Sequence, residues 1–504
     1  MNAHRVAVLV ALAAAAAAGT AVWLAHSPGP AVPEPAQQPA VRMSGAQIVL
    51  RQQGEKQAEI TADRVEVSGD QRTTTFTGRP SAVIHLNGVP ALTATGGRIV
   101  LDRQDGSVRI KGGLRITTVR GETLSAPEAA WNPSTQVIEL TGGVTASANL
   151  LPAALLPTAG PSSTPQPGSD IPGRLRAERV RYDARAKVVV ASGNVVLTLG
   201  EVEIQSDALR LEQISQVAVA EGRVSVQRRD QRLTAAAVRY EMRTETADAS
   251  GGVVLVQKDT TIRAPQMRFD LRGEVTTASG GVEASQGGTT MTAASLRHEA
   301  RTGEVASEGG VTLTQPGSRV TGGRMQANLL TMRADVREDA TLIRQDITVT
   351  APRIVFRWDN NEAEAEGGVV VRQPGRTAWA DRMTYSEPAD RAVLTGRVVV
   401  EQPSGEGLVR LTCNRMVMTL RDKNITAEGQ VRVVQKDRWA TGDRGTYTDA
   451  TRILVVTGNV RMQEADGTRL KADRAVISLA DETFEAEGNV ETEFVIRPSP
   501  TRKP

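Results

Sequence analysis

The chain has 504 residues, 40% of them hydrophobic but only 3% aromatic, and 60 Lys and Arg balance 57 Asp and Glu to a net charge of +3. Aromatic side chains carry much of the burial in compact cores, so five Phe, five Trp and four Tyr argue against several ordinary globular domains and for a repetitive array of small aliphatic residues. The balanced charge leaves no electrostatic footprint for nucleic acid, the single Cys413 excludes an intrachain disulfide or Cys-rich zinc site, and four His leave little for metal or acid–base chemistry. No catalytic residue, metal or cofactor is expected.

Residues 1–27 read as a membrane anchor. Positions 6–25 hold no charge, and twenty helical residues span about 30 Å, the thickness of a bilayer's hydrocarbon core. Arg5 ahead of the run favours a cytoplasmic start and sends the rest of the chain outward. A cleaved signal peptide is the competing reading, with Gly19 and Ala21 as small residues near a cleavage site, but Trp23 and Leu24 extend the run to anchor length. Residues 28–44 open with PGPAVPEPAQQPA, an extended Pro-rich spacer.

From residue 45 a repeat of about 29 residues takes over. One motif is apolar-x-Ala-Asp-Arg-apolar-x-apolar, as in ITADRVEV at 60–67, LRAERVRY at 175–182 and LKADRAVI at 470–477. The residue in its Asp place falls at 63, 97, 127, 178, 207, 236, 265, 294, 323, 352, 381, 414, 443 and 473. A second motif, small-x-Gly-x-Val, lies between copies of the first, as in ASGNVVL at 191–197 and AEGRVSV at 220–226, and Asp339 fills its one missing glycine. Val, Ile, Thr and Leu alternate with polar residues at period two, which predicts strands.

The two motifs differ in phase. In the first, Ala62 to Val65 is an odd step between apolar positions, as are Ala177 to Val180 and Ala264 to Met267. A strand that keeps its apolar side inward across an odd step needs a bulge or corner, so each strand is expected to bend at Asp-Arg and continue into a second, facing sheet. In the second motif Ala220, Gly222 and Val224 keep one parity, which predicts that the glycine faces inward, where backbones approach closely. The fold expected is all-β: an elongated, repetitive antiparallel β-jellyroll of two facing sheets and an open trough, behind an N-terminal transmembrane helix. It divides into an N-terminal module at 45–147, a Pro/Ser/Gly-rich linker or loop at 148–173, a C-terminal module at 174–496 and a tail at 497–504.

The alternation of Ala-Asp-Arg with Gly-Asn-Val over residues 45 to 496 resembles the OstA-like β-jellyroll of the lipopolysaccharide-transport (Lpt) proteins. An anchored start is similar to LptC, and the extra length resembles an LptC–LptA-type fusion. The resemblance implies a periplasmic, inner-membrane-anchored bridge that holds lipid acyl chains between its sheets. Its implied partners are lipopolysaccharide, the inner-membrane lipopolysaccharide ABC transporter, other β-jellyroll bridge proteins and the outer-membrane translocon. The inward positions after each corner are the groove candidates: Val180, Tyr182, Leu209, Leu211, Val238, Tyr240, Met267, Phe269, Ile354, Phe356, Met383, Tyr385, Met416 and Met418. Met adapts to irregular partners, although the same positions also suit packed core. The terminal strands, with Ile48, Val49 and Leu50 at one end and Val490, Phe494 and Val495 at the other, are docking candidates by strand addition. Arginines at the corner, among them Arg64, Arg179, Arg382, Arg444 and Arg474, are expected to form charge ladders with the Asp places of neighbouring strands. No enzymatic activity is expected. The rival reading is a structural or adhesive β-rod that binds no lipid.

Overall fold

The computed structural model describes residues 41–493 apart from 53–54, 87–88, 119–122, 133, 148–172, 184, 405–406 and 482. The expected anchor at 1–27 and tail at 497–504 lie outside the described residues. Every regular element among the described residues is a strand, and no helix there is long and apolar enough to cross a membrane. The first strand, Val41–Gln52, starts four residues ahead of the expected 45.

The chain forms two units, residues 1–278 and 279–504, and the division falls inside the strand Val275–Gln286. In unit 1 each strand from Val108–Thr118 to Thr260–Asp270 pairs antiparallel with the next. In unit 2 the same holds from Thr289–Glu299 to Arg469–Ser478. The strands flanking the Pro/Ser/Gly-rich segment, Val137–Ser147 and Gly173–Asp183, pair directly, Arg174 with Ser147 and Asp183 with Val137. That segment therefore connects neighbours within unit 1.

Each long strand has a register shift near its middle, for example between Arg176 and Arg179 and between Glu221 and Val224. The shift divides it into two arms. Short-turn arms are joined by tight turns, as between Leu199 and Val202. Long-turn arms are joined by longer ones, as between Glu212 and Val217. In Gly173–Asp183 the buried residues are Gly173, Leu175 and Ala177 before the corner, then Val180 and Tyr182 after it. The odd step is the one that the first motif predicts. Near the N-terminus the corner becomes a break. Glu55–Val67 pairs with Thr73–Thr77 through one arm and Ser81–Leu86 through the other.

The expectation that the glycine faces the apolar interior is corrected. Gly222 and Arg223 both hold left-handed backbone, φ 73° and 46°, as do Gly193–Asn194 and Gly458–Asn459. Two such residues rotate the chain at the corner and aim the glycine at the preceding strand's Asp place. A Cβ on Gly222 would lie 2.8 Å from the Asp207 Cβ, and one on Gly458 would lie 2.9 Å from the Asp443 Cβ. The residue after the glycine then caps that carboxylate. Arg223 Nε donates to Asp207 at 3.1 and 3.2 Å, Asn194 Nδ2 to Glu178 at 2.7 Å and Asn459 Nδ2 to Asp443 at 2.7 Å.

The arginine ladder also differs from expectation. Arg382 meets Glu366 at 2.6 Å, Arg415 meets Glu428 at 2.6 Å, and Arg474 meets Glu487. These glutamates precede the corner glycine. Such exposed pairs contribute about 0–1 kcal/mol each, so backbone geometry, more than charge, sets the corner.

Gly222→Ala combines a left-handed backbone with a collision against a neighbouring Cβ, and is expected to destabilise unit 1 by about 3 kcal/mol. Gly252→Ala meets open space at φ 76° and should cost only about 1 kcal/mol. Chemical denaturation of the two variants separates collision from conformational strain.

Candidate functional site

The interior is built from rows of residues running across the strands. One row in unit 1 reads Val189, Leu211, Ala218, Tyr240, Ala247, Phe269, each opposite the next. In unit 2 the corresponding row reads Ala334, Phe356, Ala363, Tyr385, Ala392, Met418. The first motif supplies the large residue and the second supplies alanine, so most rings have a small neighbour on each side. Alternation of this kind packs densely where the facing arm fills the gaps and leaves space where it does not.

Both outcomes occur. In unit 1, Leu209, Leu211, Val238, Tyr240 and Phe269 meet Leu197, Ile204, Val226 and Leu233 from the short-turn arm around only about 30 Å³ of space. In unit 2, Ile354, Phe356, Met383, Tyr385 and Met418 face Leu342, Val349 and Val371 across a cavity of about 480 Å³. Contributions from both arms to one space establish that the arms face each other within each unit. Met416 borders a smaller space of about 40 Å³ with Leu411 and Tyr447.

All the groove candidates occupy inward positions. Leu211, Val238 and Tyr385 are half-buried and the others are buried. Val180, Tyr182 and Met267 are packed core, with Met267 2% exposed. The sequence reading missed Ala363, Ala365 and Ala392 and the short-turn residues Leu342, Val349 and Val371, all of which line the larger cavity. The run EAEAEG at 362–367, with its small residues opposite large ones, carried the signal for the first two.

Polar groups cross between the arms at the rim of unit 2. Arg344, at the end of its short-turn arm, donates from Nη1 to Tyr385 Oη at 2.7 Å and from Nη2 to Glu387 at 2.8 Å. Arg376, also at a short-turn end, reaches Asp449 at 2.8 Å and lies 5.7 Å from the centre of the Tyr447 ring. Its side chain is only 14% exposed. Burial pushes the phenols of Tyr385 and Tyr447 up, so both hold their protons.

On the outer surface of unit 2 a polar hollow surrounds Asp335. Burial alone would raise this carboxyl, but hydrogen bonds from Arg353 and Arg337 outweigh that and hold it at about 2. Cys413 is buried, and burial pushes its thiol up to about 11, which suits an inert strand residue. Among the described residues no group of His, Cys, Asp and Glu could hold a metal ion.

At the chain ends, Val41–Gln52 pairs only with Glu55–Val67 among the described strands. Ile48 there is half-buried and Val49 is 42% exposed, and the side chain of Leu50 is not described. Thr483–Glu487 and Glu491–Glu493 pair only with Arg469–Ser478 among the described strands. Val490 sits in the gap between them, 47% exposed, rather than in a strand. Phe494 and Val495 lie outside the described residues.

Residues 174–275, 239–406 and 348–483 match the family model described as LptA/(LptD N-terminal domain) LPS transport protein. No curated protein sequence matches the chain. Among solved structures the chain is similar to LptH, the LptA homologous periplasmic component of the conserved lipopolysaccharide transport device from Pseudomonas aeruginosa. Identity is 13%, 30% of this chain and 95% of that chain are covered, and the TM-score is 0.20.

Two measurements check the electrostatics. Arg376→Ala strips a mostly buried ion pair between the arms and is expected to destabilise unit 2 by about 2 kcal/mol. Arg223→Ala at an exposed corner should leave the denaturant midpoint nearly unchanged, and the shift of that midpoint compares the two. Asp335 has a depressed pKa in the folded state, so its contribution is present above its unfolded value and is lost as pH falls toward about 2. At about pH 5, Asp335→Asn should be roughly 2 kcal/mol less stable than the parent, and the gap should close on acidification.

Proposed function

The chain belongs to the LptA/LptD N-terminal-domain family of lipopolysaccharide-transport proteins, and on that premise we propose that it is a non-enzymatic carrier holding lipid acyl chains between its arms. The observation that supports this best is the cavity of about 480 Å³ in unit 2, bordered by Phe356, Met383 and Met418 on one arm and Val349 and Val371 on the other. Acyl chains gain about 0.8 kcal/mol for each methylene taken from water. Methionine side chains adjust to an irregular chain with little strain. The phosphorylated sugars of lipopolysaccharide would stay away from the apolar rows, toward the end where Arg344, Arg421 and Lys423 border the same space.

In this reading the protein is a bridge. An N-terminal anchor at 1–27 holds it to the inner membrane in an LptC-like manner, and the bulk of the chain lies in the periplasm. Lipopolysaccharide arrives from the inner-membrane ABC transporter and leaves toward the outer-membrane translocon. The one-sided strands Val41–Gln52 and Glu491–Glu493 are the places where other β-jellyroll components would add by strand pairing. Energy comes from the transporter, since the sequence has no phosphate-binding loop.

Photo-crosslinking in membranes tests the proposal. A photoreactive residue at Phe356 or Met383 is expected to capture lipopolysaccharide only while the transporter has ATP, and one at the exposed Arg382 is expected to capture none. Absence of adducts at both inward sites in a folded, membrane-associated protein would favour the rival reading, a rod with a filled interior.

A further inference from the structure

The ends of the facing arms in unit 2 are bridged at three places by one combination of residues. Arg344, Arg376 and Arg438 each stand at the end of a short-turn arm, beside the tight turns 345–346, 374–375 and 436–437. Each lies over a ring at the end of a long-turn arm. Arg344 is 5.4 Å from the centre of the Tyr385 ring, Arg376 is 5.7 Å from that of Tyr447, and Arg438 is 5.9 Å from that of Phe484. Charge is added at the first two, where Arg344 reaches Glu387 and Arg376 reaches Asp449, both at 2.8 Å.

The first bridge stands at the mouth of the large cavity. Besides the apolar rows, that space reaches the short-turn residues Gly317 and Gln345 and the long-turn residues Glu387, Asp390 and Lys423. It therefore runs out between the two sets of arm ends, the side of the interior that no corner closes. Arg344, Tyr385 and Glu387 border the same space, so their bonds cross its mouth. The crossing is lightly held. The side chains of Arg344 and Glu387 are 31% and 46% exposed, and an ion pair with that much water around it contributes little to stability. Arg376 is only 14% exposed, and its bridge is the firmer one. The arms are thus weakest at Arg344, beside the cavity.

We propose that the Arg344 bridge is the latch of a side gate, and that acyl chains enter and leave the unit 2 cavity between the arm ends when Arg344 releases Tyr385 and Glu387. The other route is lengthwise, along the rows. Toward the C-terminal strands that route narrows to about 40 Å³ beside Tyr447, the ring that Arg376 covers. The mouth at Arg344 requires only the exchange of exposed charge-assisted bonds for bonds to water. This inference rests on the carrier reading and adds the route of loading to it.

The test follows loading of the full-length protein by stopped-flow with the methyl ester of parinaric acid, a fluorescent acyl chain without charge. Because the probe is neutral, Arg344 does not attract it, and a change in rate reports the gate. Glu387→Gln keeps the size of the side chain and removes the ion pair. It is expected to raise the association and dissociation rates together by about five-fold, the scale of one exposed ion pair, whereas loss of a mere contact with the probe would raise the dissociation rate alone. Added salt should speed loading of the parent and not of this variant. Arg344→Cys/Glu387→Cys joined by a short bismaleimide should lose the loading that the same protein shows before joining. Cys413 is buried and does not compete for the reagent, and an unchanged circular dichroism spectrum reports that the joined protein is folded. Rates unchanged in Glu387→Gln, or loading at one rate before and after joining, would overturn the inference, send the chains in lengthwise and leave the carrier reading standing. If the parent took up no probe and captured no lipopolysaccharide at Phe356, both readings would fall together.

Discussion

The corner is the constraint on which the rest of the structure depends. A strand of eleven or twelve residues such as Val217–Arg228 needs a fixed place to turn if both of its halves are to bury an apolar side. Two consecutive left-handed residues, Gly222 and Arg223, provide the turn. Only a residue without a Cβ fits beside Asp207, whose own Cβ occupies that space. Glycine on one strand and the acid on its neighbour are therefore one device, which explains why the two motifs keep the same spacing through the chain. At the one repeat without the corner glycine, Glu338 stands in its place and not the expected Asp339: it lies against Gly323, which holds the Asp place and leaves room for it, and both residues stay left-handed at φ 64° and 59°. The strain is tolerated because paired strands on both sides impose the register.

The fixed corners align small and large residues into rows. Ala218, Ala247, Ala363 and Ala392 stand beside rings or Met418 because the second motif brings a small residue to the same level in these repeats, whereas Tyr182 and Tyr447 have Val189 and Leu454 there. Few aromatics are then needed, and the 3% aromatic content follows from the architecture. Free volume depends on the facing arm. Leu197, Ile204 and Leu233 nearly fill the interior of unit 1 beside Tyr240. In unit 2, Val349 and Val371 leave a wide space beside Phe356 and Met383. The larger space also extends along Gln315 and the turn residues Gln345, Asp346 and Lys423, so the arm ends contribute to it as well as the smaller valines.

Much of this was legible in the sequence. Period-two alternation gave the strands, and the odd step from Ala177 to Val180 gave the corner. The inward positions followed from that parity, so Met267, Phe269 and Ile354 fall inside as expected. The direction of the corner glycine was not legible, since parity counting assumes extended backbone and Gly222–Arg223 is left-handed. Nor was the partner of the corner arginines. Arg382 takes Glu366 at 2.6 Å, and the Asp places on the repeats before and after it are Pro352 and Asn414, which offer no carboxylate. Contacts between arms, such as Arg376 with Asp449 across 73 positions of sequence, depend on how the arms face one another, and no local pattern encodes that.

If the interior carries acyl chains, as proposed, the rim contacts bear on how it would both hold and release one. An apolar ligand between two arms is retained by burial alone, and burial is non-directional, so nothing in the rows themselves fixes its depth or position. Polar groups at the rim supply that information, and their state differs between the units. In unit 2, Arg344 and Arg376 tie one arm's end to the other through Tyr385, Glu387 and Asp449. An entering headgroup there would have to exchange with partners already in place. These are few and partly solvated, with Glu387 46% exposed, so the exchange swaps one set of charge-assisted bonds for another at small net cost. In unit 1 the phenols of Tyr182 and Tyr240 have no such protein partner among the described residues, but both are buried, and only about 30 Å³ of space lies beside Tyr240. The repeat supplies the same apolar row in both units, and the facing arm together with a few rim residues decides whether that row is packed or borders open space and polar groups.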